Sequence, residues 1–192
     1  RLYSLTVCLV LFLLGLSAQQ QLTNLPALYI NTFDKVPITS KTDYIYANIT
    51  YVDGDSIAIY DSVSIRGRGN STWNFAKKPY RIKFKEKTKF LGKGHAKAKS
   101  WTLLANHADK TFMRNALAAE IGRCMELPFN AAARFVDVTL NGTYVGNYQI
   151  SDQVEVRKNR VEVTEQDFPL LEGADISGGY LVEVDGFGSS EP

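Results

Sequence analysis

A glycine-containing stretch over residues 66–70 carries the residue types that bind phosphate groups. Gly67 and Gly69 have no side chain, so nearby backbone N–H groups are open to a ligand, and basic side chains stand on both sides. The stretch matches neither common phosphate-loop pattern, because no Gly-Lys-Ser/Thr follows and Thr72 replaces the third glycine of a dinucleotide loop. Local spacing therefore leaves two interpretations open, a phosphate-binding loop or a tight turn beside a solvated basic surface.

The charge distribution points to an anion in the same region. The chain has 192 residues and a net charge of +2, yet residues 66–99 hold twelve Lys or Arg against one acid, Glu86. This segment carries +11 and the remainder of the chain carries −9. The segment is therefore suited to bind anions, or the acidic remainder of its own chain.

Nucleic acid and metal ions are disfavoured as ligands. Aromatic residues accompany the bases, but Tyr80 alternates with Arg81 along a predicted strand, so the two side chains point to opposite faces. His95 and His107 have no Cys or His partner at ligand spacing, which argues against zinc. We expect no nucleic-acid partner and no metal site within the chain.

Local patterns predict many antiparallel strands and one main helix. Strands are predicted at residues 27–30, 44–52, 56–65, 80–85, 135–140, 144–150, 154–156, 160–163 and 179–184, and Asn141-Gly142 predicts a hairpin turn. In the strand at 80–85, alternation places Tyr80, Ile82 and Phe84 on the core face. This content indicates an α+β fold.

The main helix is predicted over residues 110–124. Asp109 is a suitable N-cap, and Leu127-Pro128 follows the helix. An apolar stripe, formed by Met113, Leu117, Ile121 and Cys124, is expected to pack into the core.

The N-terminal segment has the pattern of a secretory signal peptide. Arg1 precedes an apolar stretch over residues 7–16, and the small residues Ser17 and Ala18 follow. The stretch is too short for a membrane span. We therefore expect residues 1–19 to be a signal peptide, the mature chain to have no transmembrane segment, and the protein to be secreted or in the cell envelope.

Several longer motifs resemble the CotH family, the spore-coat-protein-H-type atypical protein kinases. They cover most of residues 25–185 and include Arg66-Gly-Arg-Gly-Asn-Ser-Thr-Trp73, Lys77-Lys-Pro-Tyr-Arg-Ile-Lys-Phe84, Lys99-Ser-Trp-Thr-Leu-Leu-Ala-Asn106, Val145-Gly-Asn-Tyr148 and Lys158-Asn-Arg-Val161. The resemblance implies the N-terminal part of a divergent protein-kinase-like fold. It also implies a transferase that binds ATP with Mg²⁺ and phosphorylates Ser or Thr in secreted or coat proteins.

The resemblance implies a nucleotide site around the glycine-containing stretch. Its expected residues are Arg66, Gly67, Arg68, Gly69, Asn70, Lys78, Arg81, Lys83 and Glu120. Residues 67–70 would cover the phosphates, and Lys83 would pair with them, with Arg81 and Lys78 as alternatives. Glu120 would orient that lysine through an ion pair.

The resemblance also implies catalytic and metal-binding aspartates beyond Pro192. We therefore expect residues 25–192 to be a CotH-like kinase domain truncated at its C-terminal end, and this fragment to be inactive alone. The alternative is a non-catalytic cell-surface or envelope module that keeps the fold and uses its basic face to bind an anionic polymer or a protein partner.

Overall fold

The computed structural model describes residues 23–92, 95–163 and 179–182. It contains seven strands, β1 (Ala27–Thr32), β2 (Ile45–Asp53), β3 (Ser56–Gly67), β4 (Tyr80–Thr88), β5 (Ala98–Leu104), β6 (Arg134–Leu140) and β7 (Thr143–Asp152), and the helix α1 (Arg114–Cys124). Two short 3-10 segments lie at Phe33–Lys35 and Ser71–Asn74.

The seven strands close into a barrel in the order β1-β2-β3-β4-β5-β7-β6. Neighbouring strands are antiparallel except at the closure, where β1 runs parallel to β6. Asn141 helps to hold the closure, because its backbone N–H donates to the Ile30 carbonyl at 2.8 Å and its side chain bonds Thr32. Positive φ angles at Asn141 and Gly142 confirm the predicted hairpin turn between β6 and β7.

Apolar side chains of the strands fill the barrel. Buried residues with no or almost no exposure include Leu28, Ile30, Ile49, Ile65, Ile82, Trp101, Leu103, Val136, Val138 and Ile150. The predicted inward face of Tyr80, Ile82 and Phe84 is confirmed. Phe84 packs edge-on against Phe90, with ring centroids 5.1 Å apart, and Phe90 packs against Trp101 at 5.9 Å.

The predicted α+β architecture with a kinase-like arrangement is wrong. The described part of the chain is a closed barrel with a single helix, and α1 buries only Gly122. The stripe expected in the core is exposed instead: Met113, Leu117 and Ile121 are each at least half exposed, and Cys124 is exposed. The physical reason is closure, because a sheet that closes on itself covers its own apolar face and needs no helix to do so.

Most strand predictions are confirmed within a few residues, and one strand was missed. β5 lacks an alternating pattern because Ser100–Leu103 are buried on both faces of the barrel wall. The short strands predicted at 154–156 and 160–163 amount to one isolated bridge between Val156 and Val161. Residues 179–182 are not a strand, and the end of the strand predicted at 179–184 lies outside the described residues.

A buried arginine fixes the chain that follows β7. The Arg160 guanidinium donates to Asp152 Oδ1 at 3.1 Å, to Glu155 Oε2 at 2.9 Å and to the Ser100 carbonyl at 2.8 Å. It also lies 5.0 Å from the centroid of the Trp101 ring. This network fastens residues 152–160 to β5, where Asp152 is the register partner of Trp101. Within the described ranges, no helix has the length and apolarity needed to cross a membrane.

Candidate functional site

Two arginines lie side by side on the outer face of the barrel. Arg66 on β3 and Arg81 on β4 are register partners, next to the inward-facing pair Ile65 and Ile82. Like charges directly opposite one another destabilise a sheet. Arg68 adds a third guanidinium, and its pKa is lowered first by burial and then by the charge of Arg81.

The protein leaves part of this positive charge without an acceptor. The Nε atoms of Arg66 and Arg81 are buried and have no hydrogen-bond partner. Arg66 Nη1 donates to the Lys41 carbonyl, and Arg81 Nη2 lies 3.7 Å from Glu155 Oε1. Buried polar groups in native proteins are normally paired. Arg66 and Arg81 therefore hold positive charge that the described acceptors only partly neutralise.

The three arginines border a cavity of about 350 Å³, which we call the guanidinium cleft. Its lining residues are Lys41, Thr42, Arg66, Gly67, Arg68, Gly69, Asn70, Arg81 and Gln153. Gly69 adopts a φ of 86°, and the backbone N–H groups of Gly69 and Asn70 have no acceptor among the described residues. The cleft therefore offers backbone donors as well as guanidinium donors.

The backbone N–H of Gly67 is already bonded within the protein, although the motif suggests a donor for a ligand. Its N–H donates to the Ser40 carbonyl at 2.8 Å, so it is not available to a ligand. A Cβ at this position would overlap the Trp73 ring. Gly67 therefore lets Trp73 pack on the backbone, and Trp73 in turn supports the loop over residues 68–72.

A second cavity of about 300 Å³ adjoins the cleft, and Arg68 lines both. We call it the Phe75 pocket; its other lining residues are Thr72, Phe75, Lys77, Pro79, Leu104, Ala105, Asn106, His107, Ala108, Asp109 and Asn115. The rings of Phe75 and His107 lie 5.3 Å apart between their centroids. Apolar and aromatic side chains with a few polar groups are the typical lining of a small-molecule site.

Lys77 brings a half-buried ammonium group to the Phe75 pocket. Its Nζ donates to the Asn147 carbonyl and lies 4.3 Å and 4.4 Å from the ring centroids of Phe112 and Tyr148. Burial lowers the pKa of Lys77 to about 8, although the negative charge of Asp137 opposes this shift. The ammonium is held by a carbonyl and two rings rather than by a direct ion pair.

Hydrogen bonds around α1 hold one wall of the pocket. Asp109 Oδ2 accepts from the Arg114 N–H at 2.9 Å, and Asp109 Oδ1 accepts from the Thr111 hydroxyl at 2.7 Å. The Arg114 bond is the main cause of a lowered Asp109 pKa. The prediction that Asp109 is the N-cap of a helix beginning at residue 110 is wrong, because the helix begins at Arg114 and its N-cap position is Met113. Asp109 nevertheless accepts from the first N–H of the helix. Asn115 Nδ2 donates to Asn106 Oδ1 at 2.8 Å and connects the helix to the chain after β5.

The residues around both cavities lie mostly in a range of the chain that matches a known protein family. The model of the family described as CotH kinase protein matches residues 65–191, which is most of the chain. The chain belongs to the CotH family. A comparison with curated proteins found no match. The matched range includes the Gly67–Asn70 loop, Arg81 and the lining of the Phe75 pocket.

The CotH domain brings six of the nine expected nucleotide-site residues to one cleft. These are Arg66, Gly67, Arg68, Gly69, Asn70 and Arg81. Lys78 lies outside it: its Nζ donates to the Trp73 carbonyl at 2.7 Å and so supports the loop. Lys83 lines a separate groove with Tyr44 and Lys85.

Glu120 does not meet Lys83. Its carboxylate is exposed on α1 and pairs with Arg123, whose side-chain hydrogen bond is the main cause of a lowered Glu120 pKa. No lysine takes part in an ion pair within the described part of the CotH domain. The ion pair expected between a strand lysine and this glutamate is therefore absent there.

Sequence reasoning missed residues that tertiary contacts bring to the two cavities. Lys41 and Thr42 come from the connection between β1 and β2, and Gln153 follows β7. No local pattern marks them. Lys77 had a signal, since it stands beside Lys78 in the Lys-Lys-Pro motif, but the motif does not show which lysine points inward.

Proposed function

We propose that this CotH domain binds ATP, with the phosphates in the guanidinium cleft and the base directed to the Phe75 pocket. The observation that carries the proposal is the pairing of Arg66 with Arg81, whose positive charge the described acceptors only partly neutralise. A bound anion would offset the repulsion between the two guanidinium groups and accept charge-assisted hydrogen bonds from their N–H groups that line the cleft.

Phosphate fits the donor set of the cleft better than a single carboxylate does. Guanidinium groups bind phosphate oxygens through paired, charge-assisted hydrogen bonds, and three of them border the cleft. The free N–H groups of Gly69 and Asn70 add donors of the kind found in phosphate-binding loops. A polyphosphate chain could use more of these donors at once than one small anion.

The Phe75 pocket supports a nucleotide rather than an inorganic phosphate. Arg68 borders both cavities, so a ligand can extend from one to the other. Phe75 and His107 supply ring faces for a base, and Lys77 and Asn106 supply polar groups.

Mg²⁺, which the family resemblance also implies, does not fit the described residues. They contain no group of three His, Cys, Asp or Glu that could hold a metal ion. Glu155, whose carboxylate lies 3.7 Å from Arg81, does not line the cleft and is already bound by Arg160. The proposed ATP site therefore assigns no role to a metal ion held by the described residues.

The activity that we propose for the protein is phosphorylation of Ser or Thr in secreted or envelope proteins, including coat proteins. The family description supports it, together with the proposed ATP site. Export is part of this proposal and rests on the signal-peptide pattern, which lies outside the described residues.

The test is ATP binding to the 192-residue chain, measured by calorimetry. Arg81→Gln should weaken binding at least about tenfold, since one charge-assisted hydrogen bond contributes about 1.5–3 kcal/mol. Arg123→Gln removes an equally charged side chain from the exposed face of α1 and should leave binding unchanged.

Two outcomes would contradict the proposal. If inorganic triphosphate binds as tightly as ATP, the Phe75 pocket takes no base. If Arg81→Gln and Arg123→Gln bind ATP equally, the cleft is not the phosphate site. Transfer of labelled phosphate from ATP to a protein acceptor tests the kinase activity separately and needs the full-length protein, because the 192-residue chain is expected to be inactive alone. Absence of transfer by a full-length protein that binds ATP would favour the non-catalytic module.

A further inference from the structure

In the closed barrel, β3 and β4 lose their strand pairing over part of their length, although the rings of Tyr60 and Phe84 still pack across this stretch with centroids 4.9 Å apart. The two strands pair only along Ser64–Gly67 and Tyr80–Lys83. Residues 56–60 of β3 pair with β2 alone, and residues 84–87 of β4 pair with neither neighbour before Thr88 meets Ala98 on β5. The described chain therefore leaves a strand edge free at this fork, with backbone donors and acceptors available to another chain.

A groove of about 570 Å³ lies at the fork, and we call it the lysine groove. Lys83, Lys85 and Lys99 line it, and none of them is in an ion pair with a described residue. The nearest acids along these strands, Asp61 and Glu86, are exposed. The groove is thus a concentrated, uncompensated positive surface, distinct from the guanidinium cleft.

Exposed apolar side chains border the same groove. Tyr46 is 59% exposed and Phe33 is 45% exposed, and their ring centroids are 6.2 Å apart. Farther along β3, Ile57 and Ile59 are each 66% exposed. Large apolar residues clustered on a surface mark an interaction site more often than isolated ones do.

We propose that the lysine groove binds an acidic, extended segment of a partner polypeptide, which adds a strand to the free edge of β3. The lysines attract its carboxylates, and the exposed isoleucines contact its side chains along the strand. The free edge decides the class of partner, because only a polypeptide supplies the regularly spaced N–H and C=O groups that pair with it. An anionic polysaccharide or nucleic acid would use the lysines and leave the edge unpaired. This site does not depend on ATP.

The probe is a fluorescent peptide of alternating Glu and Thr, about ten residues long, the upper end of the usual strand length. Binding to the full chain is followed by anisotropy at about 0.15 M salt, where exposed charges more than ~8 Å apart are screened. A second peptide has alternate backbone nitrogens methylated, which keeps every charge and removes the donors needed for strand pairing.

Two double variants are compared. The groove variant carries Lys83→Gln and Lys85→Gln, and the surface variant carries Lys110→Gln and Lys158→Gln on exposed surface away from the groove. We expect the groove variant and the methylated peptide each to lower affinity at least about tenfold, equivalent to 1.4 kcal/mol. The surface variant should bind normally. Bound peptide should also slow amide hydrogen exchange in residues 56–62.

Three results would overturn the proposal: no binding of either peptide, equal binding of the methylated peptide, or equal losses in the groove and surface variants. Tighter binding of dextran sulfate than of the peptide, lost in the groove variant, would assign the groove to a polysaccharide instead. All four exchanged lysines are exposed, so the variants should remain folded, and circular dichroism verifies this.

Discussion

Arg66 and Arg81 face each other across β3 and β4, two guanidinium groups on one outer face of a barrel wall. The side-chain charges around them do little to offset this repulsion. Arg68 lies next to them, and the carboxylate of Glu155, which is within ion-pair distance of Arg81, also holds the buried Arg160. A polyanion is therefore the ligand that the arrangement accommodates best.

Phosphate should stabilise the protein more than chloride does at equal ionic strength. Screening by either salt reduces the repulsion between the arginines, but phosphate also accepts paired, charge-assisted hydrogen bonds from guanidinium groups, a geometry that a chloride ion does not offer. We expect about 1 kcal/mol of additional stability, or a Tm about 2–4 °C higher. Arg66→Gln should remove the difference between the salts, whereas Arg123→Gln should keep it. An undiminished difference in Arg66→Gln would place the anion elsewhere.

Removal of the buried Arg160 side chain should destabilise the barrel strongly. Arg160→Ala leaves the carboxylate of Asp152 buried without its partner, and such losses cost about 3–5 kcal/mol. Arg157→Ala is the matched control, because Arg157 is partly exposed and its ion pair with Glu155 is long, at 3.5 Å. It should cost less than about 1 kcal/mol. Urea unfolding measures both, and similar losses would show that Arg160 does not anchor the segment after β7.

Truncation of a leucine to alanine should lower the free energy of unfolding strongly in the barrel and hardly at all on the helix. Leu28 is fully buried, so Leu28→Ala should cost about 2–5 kcal/mol. Leu117 is 58% exposed on α1, so Leu117→Ala should change stability by no more than about 0.5 kcal/mol. Thermal or urea unfolding of the two variants checks this. A large loss in Leu117→Ala would mean that the helix stripe packs after all.

Lys77 should make stability rise with pH in the alkaline range. Its pKa is lowered from 10.5 to about 8, so the folded chain loses this proton first. Between those values the unfolded chain binds more protons, and the free energy of unfolding therefore increases with pH. Burial raises the pKa of Tyr80 and Tyr148, and their opposite contribution begins only above pH ~10.

The measurement compares wild type with Lys77→Met by urea unfolding between about pH 7 and about pH 9.5. Across this range, the free energy of unfolding should increase more for wild type than for Lys77→Met. Lys158→Met, an exposed substitution, is the control and should follow wild type. Parallel curves for wild type and Lys77→Met would contradict the lowered pKa.

Cys124 should react with a thiol reagent in the folded protein. The helix places it on an exposed face rather than in the core. In a Cys8→Ser variant, which leaves Cys124 as the single thiol, the reaction with dithiobis(nitrobenzoate) should therefore proceed without denaturant, forming a mixed disulfide and releasing thionitrobenzoate. It should leave the thermal unfolding temperature unchanged. Reaction only after unfolding would show that Cys124 is buried.

Much of the barrel could be predicted from local patterns, whereas the error in the helix has a tertiary cause. The alternation at residues 80–85 and the Asn141-Gly142 turn were correct because periodicity and turn chemistry depend on adjacent residues. The helix stripe of α1 was assigned to the core by the same local logic, although the closed barrel leaves no apolar sheet face for it. Amphipathic spacing shows that a helix can pack, but not that a partner is present.

In the candidate site, too, some features could be predicted from the sequence and others depend on the tertiary structure. The concentration of positive charge in residues 66–99, the glycine-containing loop and the family motifs are properties of the sequence alone. Tertiary structure decided that Arg81 shares a cleft with Arg66 while Lys83 lies in a separate groove, and it brought Lys41 and Gln153 to that cleft. Strand register and the parallel closure of β1 on β6 determine these neighbours, and both depend on contacts between residues far apart in the chain.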